Sequence, residues 1–443
     1  MKKILSFTAL MAATLAFTAC NSEEDALFDR SAAERLMDSQ KAYTERLAAT
    51  NAGWAMEFYP TNGTSAPQGK GYLMLADFNT DGSVRMAMQN EMSGNQYIED
   101  TSLWEVIADQ GPVLSFNSRN QCLHYFSDPG IYDTGLGYEG DYEFEVLNLE
   151  ENATYAMLKG KKRGTYIRLT RLDDGTDFEQ YFTDVLQFQN TVFSSSAPND
   201  CLLHIGDSTY VVTNASSGII DIYPYGGDPI SQTTSHPFLM TKHDGKYYLR
   251  FREEIEVGEM KVQELAYDPS QDIFSGVDNE QYYIQGPDAA TFYNEQLEDS
   301  KTWTLAYTAE MSAQLKTYLD AVNTELKAVN RNFTLNSFTF GYDAKSEQYQ
   351  WTLTYLSSGR PANQVYYFDY TPNVEESLCA FNFKEASNTA AQNVMSRCPT
   401  LSTLWDVFSQ EWLITAAPTQ FNLSKVKLTS KSDSELWFVL NIK

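Results

Sequence analysis

Chemistry has to begin from side chains that can shuttle protons, attack a bond or hold a metal, and in this chain they are sparse. The only imidazoles are His124, His204, His236 and His243. No two of them share a short motif, and HExxH is absent, so neither a hydrolytic zinc site nor another metal site is expected. The nucleophile elbow GxSxG is missing as well. Cys122-Leu123-His124 would place thiol and imidazole on one face of a strand running from Cys122 to Phe126, and Cys201 stands three residues before His204. A catalytic pair also needs an orienting third group and an oxyanion site, so core packing is the better reading. Asp77-Phe78-Asn79-Thr80-Asp81-Gly82 copies half of a calcium loop, but Met88 stands where the bidentate Glu belongs. That segment is expected to be a β-turn. Carboxylate pairs of the glycosidase kind need no sequence proximity, and 59 acidic residues leave that route open. No catalytic residue and no cofactor is assigned.

Binding chemistry is better represented. In Tyr223-Pro224-Tyr225-Gly226-Gly227-Asp228 the rings of Tyr223 and Tyr225 could stack on a sugar while Asp228 accepts from its hydroxyls. In Tyr366-Tyr367-Phe368-Asp369-Tyr370, strand alternation exposes Tyr367 and Asp369 if the other three face inward. The competing expectation is that strand aromatics pack on one another.

The elements that must position these residues are mostly strands. Ser31 and Glu34 form a capping box opening a helix over residues 31–50. From Gly53 the apolar pattern has period two, and nine short antiparallel strands are expected up to Leu172. Thr176 and Glu179 suggest a second capping box, opening a helix that ends near Phe193. Ser194 to Asn199 reads as a linker. More strands and hairpins follow, then a helix from Thr308 to Val329 with one apolar stripe. The last strand alternates at Leu436, Phe438, Leu440 and Ile442. The fold class is mainly β (α+β): an antiparallel barrel or sandwich, with a lipocalin-like barrel preferred, then further antiparallel sheet with a few packing helices. The expected division is residues 1–19 as signal peptide, 20–30 as tether, 31–195 as helix plus barrel or sandwich, and 196–443 as a second β-rich region that could split near 300. Cys122, Cys201, Cys379 and Cys398 are expected to be buried thiols, with Cys379 and Cys398 the best-placed pair should one oxidise.

The start of the chain carries an address. Lys2 and Lys3 precede an apolar run from Ile4 to Phe17, about 21 Å as a helix and short of the roughly 30 Å of a bilayer core. It reads as a secretion signal. Phe17-Thr18-Ala19-Cys20 resembles the lipobox of bacterial lipoproteins, with Phe17 where Leu is usual, which makes Cys20 the lipidated residue. Ser22-Glu23-Glu24-Asp25 resembles the acidic export signal of Bacteroidetes surface lipoproteins; the competing reading is a solvated spacer. Without residues 1–19 the chain keeps 30 basic residues against 59 acidic, a formal charge of -29. Such a surface repels phosphate backbones and excludes nucleic acid as a partner.

The leading helix, the Gly53-Trp54 start of the β-rich region, the hairpin from Phe78 to Val84 and the aromatic C-terminal strands together resemble the Bacteroidetes lipoproteins grouped as domain of unknown function 4302. The resemblance implies an accessory role beside outer-membrane importers and neighbouring surface lipoproteins, with a glycan or peptide as ligand and the membrane reached by the lipid anchor. It supplies no catalytic residues. The alternatives are an extracellular hydrolase using a carboxylate pair and a structural partner of other surface lipoproteins.

Overall fold

A computed structural model describes residues 31–60, 69–131, 137–194, 196–213 and 218–443. Cys20, Ser22, Glu23, Glu24 and Asp25 therefore lie outside the described residues. The chain is mainly antiparallel β, arranged as three successive eight-stranded sheets, each closed on itself. Barrel one comprises β1 (Trp54–Phe58), β2 (Tyr72–Phe78), β3 (Ser83–Met88), β4 (Ile98–Ala108), β5 (Pro112–Phe116), β6 (Glu143–Asn148), β7 (Tyr155–Gly160) and β8 (Tyr166–Arg171). Barrel two comprises β9 (Cys201–Ile205), β10 (Ser208–Thr213), β11 (Ile219–Pro224), β12 (Thr234–His243), β13 (Lys246–Val257), β14 (Met260–Asp268), β15 (Ile273–Gly276) and β16 (Tyr282–Gln285). Barrel three comprises β17 (Trp303–Ala306), β18 (Phe333–Asp343), β19 (Gln348–Ser357), β20 (Arg360–Asn373), β21 (Leu378–Ala386), β22 (Glu411–Ala416), β23 (Lys425–Ser430) and β24 (Trp437–Ile442). Within each, sequential strands pair and the first meets the last, as in Trp54↔Arg171, Leu203↔Ile284 and Trp303↔Ile442.

The helices are α1 (Ala32–Leu47), α2 (Phe178–Val192), α3 (Pro229–Gln232), α4 (Ala289–Glu298), α5 (Ala313–Val329), α6 (Thr389–Arg397) and α7 (Pro399–Phe408). The Ser31–Glu34 capping box opens α1 as its sequence signature requires. At α2 the cap is one residue later than expected. Asp177 accepts from the Gln180 amide, while the Thr176 hydroxyl donates to the Asp173 carbonyl. Period-two burial fills barrel one with Trp54, Phe58, Phe78 and Phe144, and Phe126 from the connection between β5 and β6 joins them. Gly53 opens that barrel at φ +84°, where a Cβ would stand 2.5 Å from the Ala76 carbonyl oxygen.

The strand expected from Cys122 to Phe126 is instead a turn leading into a 3-10 helix over His124–Ser127. Asn120 explains the switch: its side-chain oxygen accepts from the Cys122 amide, and the His124 amide bonds back to the Asn120 carbonyl. The Cys–His pairing goes with it. The Cys122 thiol points to the Met86 carbonyl and burial pushes it up to about 12, while His124 stacks on Tyr142. All four described cysteines are free and buried.

α2 joins barrels one and two. Its Phe178, Phe182 and Val185 belong to a single apolar cluster that includes Ala55 and Leu75 on the wall of barrel one and Leu203 and Leu249 of barrel two. Phe421, from the β22–β23 connection, belongs to the same cluster, packing 5.7 Å from Phe193 and 5.4 Å from Phe274. Among the described residues, two ion pairs cross from barrel one to barrel two: Glu57 with Arg250 at 3.2 Å and Arg168 with Glu264 at 2.8 Å. They explain why β1 is buried along its whole length, since its outer face carries Ala55 and Glu57 against other parts of the chain.

Candidate functional site

A groove of about 860 Å³ lies across the outer wall of barrel two and reaches the β22–β23 connection of barrel three at Gln420. Its construction follows from strand register. Tyr248 on β13 pairs with Ala266 on β14, Ala266 with Ser275 on β15, Ser275 with Tyr283 on β16, and Tyr283 with His204 on β9. One circumferential row therefore presents a tyrosine, two small residues and a second tyrosine. At about 4.8 Å between strands, the two rings stand roughly 14 Å apart along the wall. The small side chains between them leave the floor low.

Each ring is braced from outside the groove. His243 stacks on Tyr248 at 3.8 Å with planes 4° apart, and His204 stacks on Tyr283 at 4.6 Å and 19°. Neither imidazole lines the groove, whereas both tyrosines do. His204 is fixed in turn by Thr209 and Gln285, each 3.2 Å from a ring nitrogen. Partial burial holds the His204 imidazole below its ordinary pKa, so it is neutral at pH 7.

The remaining lining is mostly hydrogen-bonding and leans acidic. Gln271, Gln285 and Gln420 contribute amides, Asp268 and Glu280 carboxylates, and Lys246 an ammonium group. Asp272 pins the barrel-three end: it accepts from the Thr419 hydroxyl at 2.8 Å and the Gln420 amide at 2.7 Å, and from the Tyr267 hydroxyl at 2.7 Å. A smaller cavity of about 450 Å³ at barrel one is different in kind. Two of its cations are already matched, Lys161 with Asp109 at 2.8 Å and Arg163 with Glu139 at 3.4 Å.

The residues singled out from sequence are scattered relative to the groove. Tyr225 is 68% exposed, and its amide donates to the Thr209 carbonyl, so it sits at the far end of the Tyr248–Tyr283–His204–Thr209 row. Tyr223 is half-buried on β11. Asp228 caps α3, accepting from the Ile230 amide and the Ser231 hydroxyl, which hold its carboxyl below the usual range. Tyr367 and Asp369 lie on β20 in barrel three, outside the groove, and Asp369 pairs with Lys384 at 3.2 Å. The half calcium loop is a hairpin turn in which Asp81 accepts from Ser83, and no cluster of three or more metal-ligating side chains occurs among the described residues. Tyr248 and Tyr283 escaped sequence reading because their kinship depends on pairings across β13 to β16. The outward alternation of Tyr283 and Gln285 was the one local signal.

These features define a class of protein: a tandem of closed antiparallel barrels carrying an open, polar and aromatic groove on the middle one. Residues 24–269, more than half of the chain, match the family described as Domain of unknown function (DUF4302), and the chain belongs to it. No curated protein matches. Among solved structures, the DNA polymerase III beta subunit of Pseudomonas aeruginosa is 8% identical over 92% of this chain and 98% of that one, with a TM-score of 0.14. The beta subunit from Thermotoga maritima is 8% identical over 92% and 96%, also at 0.14. At such scores neither likeness bears on the fold or role of this protein.

Proposed function

We propose that the protein is a Bacteroidetes lipoprotein, anchored through Cys20 to the outer membrane and facing the exterior, where it binds a glycan or peptide beside an importer and neighbouring surface lipoproteins. The observation that carries the binding role is the groove on barrel two. Its half-buried ring, Tyr283, is braced by His204 before any ligand arrives, so little ordering remains to be done on association. The lining combines ring faces with amides and carboxylates, the mixture that fixes a polar ligand by stacking and hydrogen bonds. The barrel-one interior is filled by side chains, which directs ligand to the outer walls. Among the described residues no helix is long and apolar enough to cross a membrane.

Anchoring and binding are tested separately. Labelled palmitate is expected to enter the wild-type chain and not Cys20→Ser, and protease added to intact cells is expected to degrade the wild-type protein. Equal membrane retention of Cys20→Ser would overturn the anchor. Arrays of glycans and peptides probed with the purified full chain test the binding role, and the absence of any ligand would overturn it.

A further inference from the structure

We infer that the groove takes a neutral, hydroxyl-rich oligosaccharide laid around the wall of barrel two, with a sugar ring resting on the half-buried Tyr283 and the buried Tyr248 closing the far end; this rests on the binding role proposed above and narrows its ligand. A pyranose ring has one face of C–H groups, weakly positive, and a rim of hydroxyls. The negative face of a tyrosine attracts the first, while amides and carboxylates satisfy the second. The row supplies both: the half-buried ring of Tyr283, braced by His204, with Ser275 and Ala266 low beside it, and Gln285 and Gln420 at the side. Tyr225, further along the same row, extends the track in the other direction by three strand spacings from Tyr283.

Charge selects against acidic sugars. Asp268 and Glu280 line the groove against the single cation Lys246, on a chain of formal charge -27, so uronate or sulfate groups would be repelled. A peptide fits less well. Binding by strand addition needs an open sheet edge, and each of the three sheets closes on itself. Binding of an amphipathic helix needs an apolar trough, and this one is lined largely by polar groups.

The test is affinity electrophoresis of the full chain, purified in detergent, through gels holding starch, β-glucan, mannan or xylan, with polygalacturonate as the acidic comparison. At least one neutral polysaccharide is expected to retard the wild-type protein and polygalacturonate is not. Tyr283→Ala should weaken binding about tenfold or more, with Tyr283→Phe close to wild type because the ring is kept. Ser275→Trp, which fills the floor without touching either ring's support, gives a second route to the same loss, and Tyr142→Ala on barrel one is the unaffected control. Matching unfolding curves confirm that each variant is folded. Retardation that survives both Tyr283→Ala and Ser275→Trp would overturn the groove assignment while leaving the binding role intact. Preference for the acidic polymer, no retardation by any neutral polysaccharide, or peptide binding lost in the same variants would overturn the sugar class.

Discussion

Glu57 sits on β1 at 1% exposure with Arg250 3.2 Å away. Burial raises its carboxyl above the usual range even though the Arg250 and Arg168 guanidinium groups pull the other way. Removing the cation should therefore cost more than the pair contributes. Arg250→Ala is expected to destabilise the protein by about 3–5 kcal/mol at pH 7, measured by denaturant unfolding. The pH dependence has a fixed sign: an acid whose pKa is raised on folding favours the folded state below its unfolded value and loses that advantage as pH rises. The defect of Arg250→Ala should thus shrink as pH falls from 7 toward the ordinary carboxylate range, with Glu57 taking up a proton. None of this was legible in the sequence, where Glu57 alternates like any outward strand residue and nothing marks a second barrel against it. Tyr225 was legible because glycines and a proline surround it; Tyr248 and Tyr283 were not, because their partners are far off in the chain.

Local grammar served best where an element is closed by its neighbours. The Ser31–Glu34 box and the apolar stripe of α5 (Leu315, Leu319, Val322 and Leu326) are both present in the structure. It failed at Cys122 to Phe126, where Asn120 recruits the backbone into a turn. α2 does more than its periodicity implied. Asp184 holds the Lys242 ammonium at 2.6 Å, and the Tyr181 hydroxyl accepts from the Lys242 amide, fastening the helix to β12. The Lys242 hydrogen bond, followed by that from Gln180, lowers the Asp184 pKa. An acid whose pKa is lowered on folding stabilises above its unfolded value, near 4, and loses that contribution as pH falls through the folded one. Asp184→Asn is expected to remove about 0.2–1 kcal/mol at pH 7, because the pair is more than a quarter exposed, and to flatten the decline in stability below pH 4. Thermal unfolding across that range checks it.

On the scale of the molecule, β-richness and antiparallel pairing followed from period-two patterning and turn residues, and a closed barrel was the preferred form. Closure itself is non-local: Trp54 meets Arg171 and Trp303 meets Ile442, and no short window of sequence records either meeting. Phe421 is the sharpest case, a barrel-three residue at 1% exposure in the cluster of barrel two. Phe421→Ala is expected to cost about 3–5 kcal/mol and to separate the unfolding of barrel three from the rest in calorimetry. A single undivided transition of unchanged midpoint would show that the ring does not couple them.

The order of pairing within each barrel has a kinetic side. Every strand bonds to the one made just before it, and only the closing seam waits for the last. A polypeptide emerging from its N-terminus during synthesis can seal its first barrel while the second is still arriving, so the exposed strand borders that invite clumping between chains are short-lived.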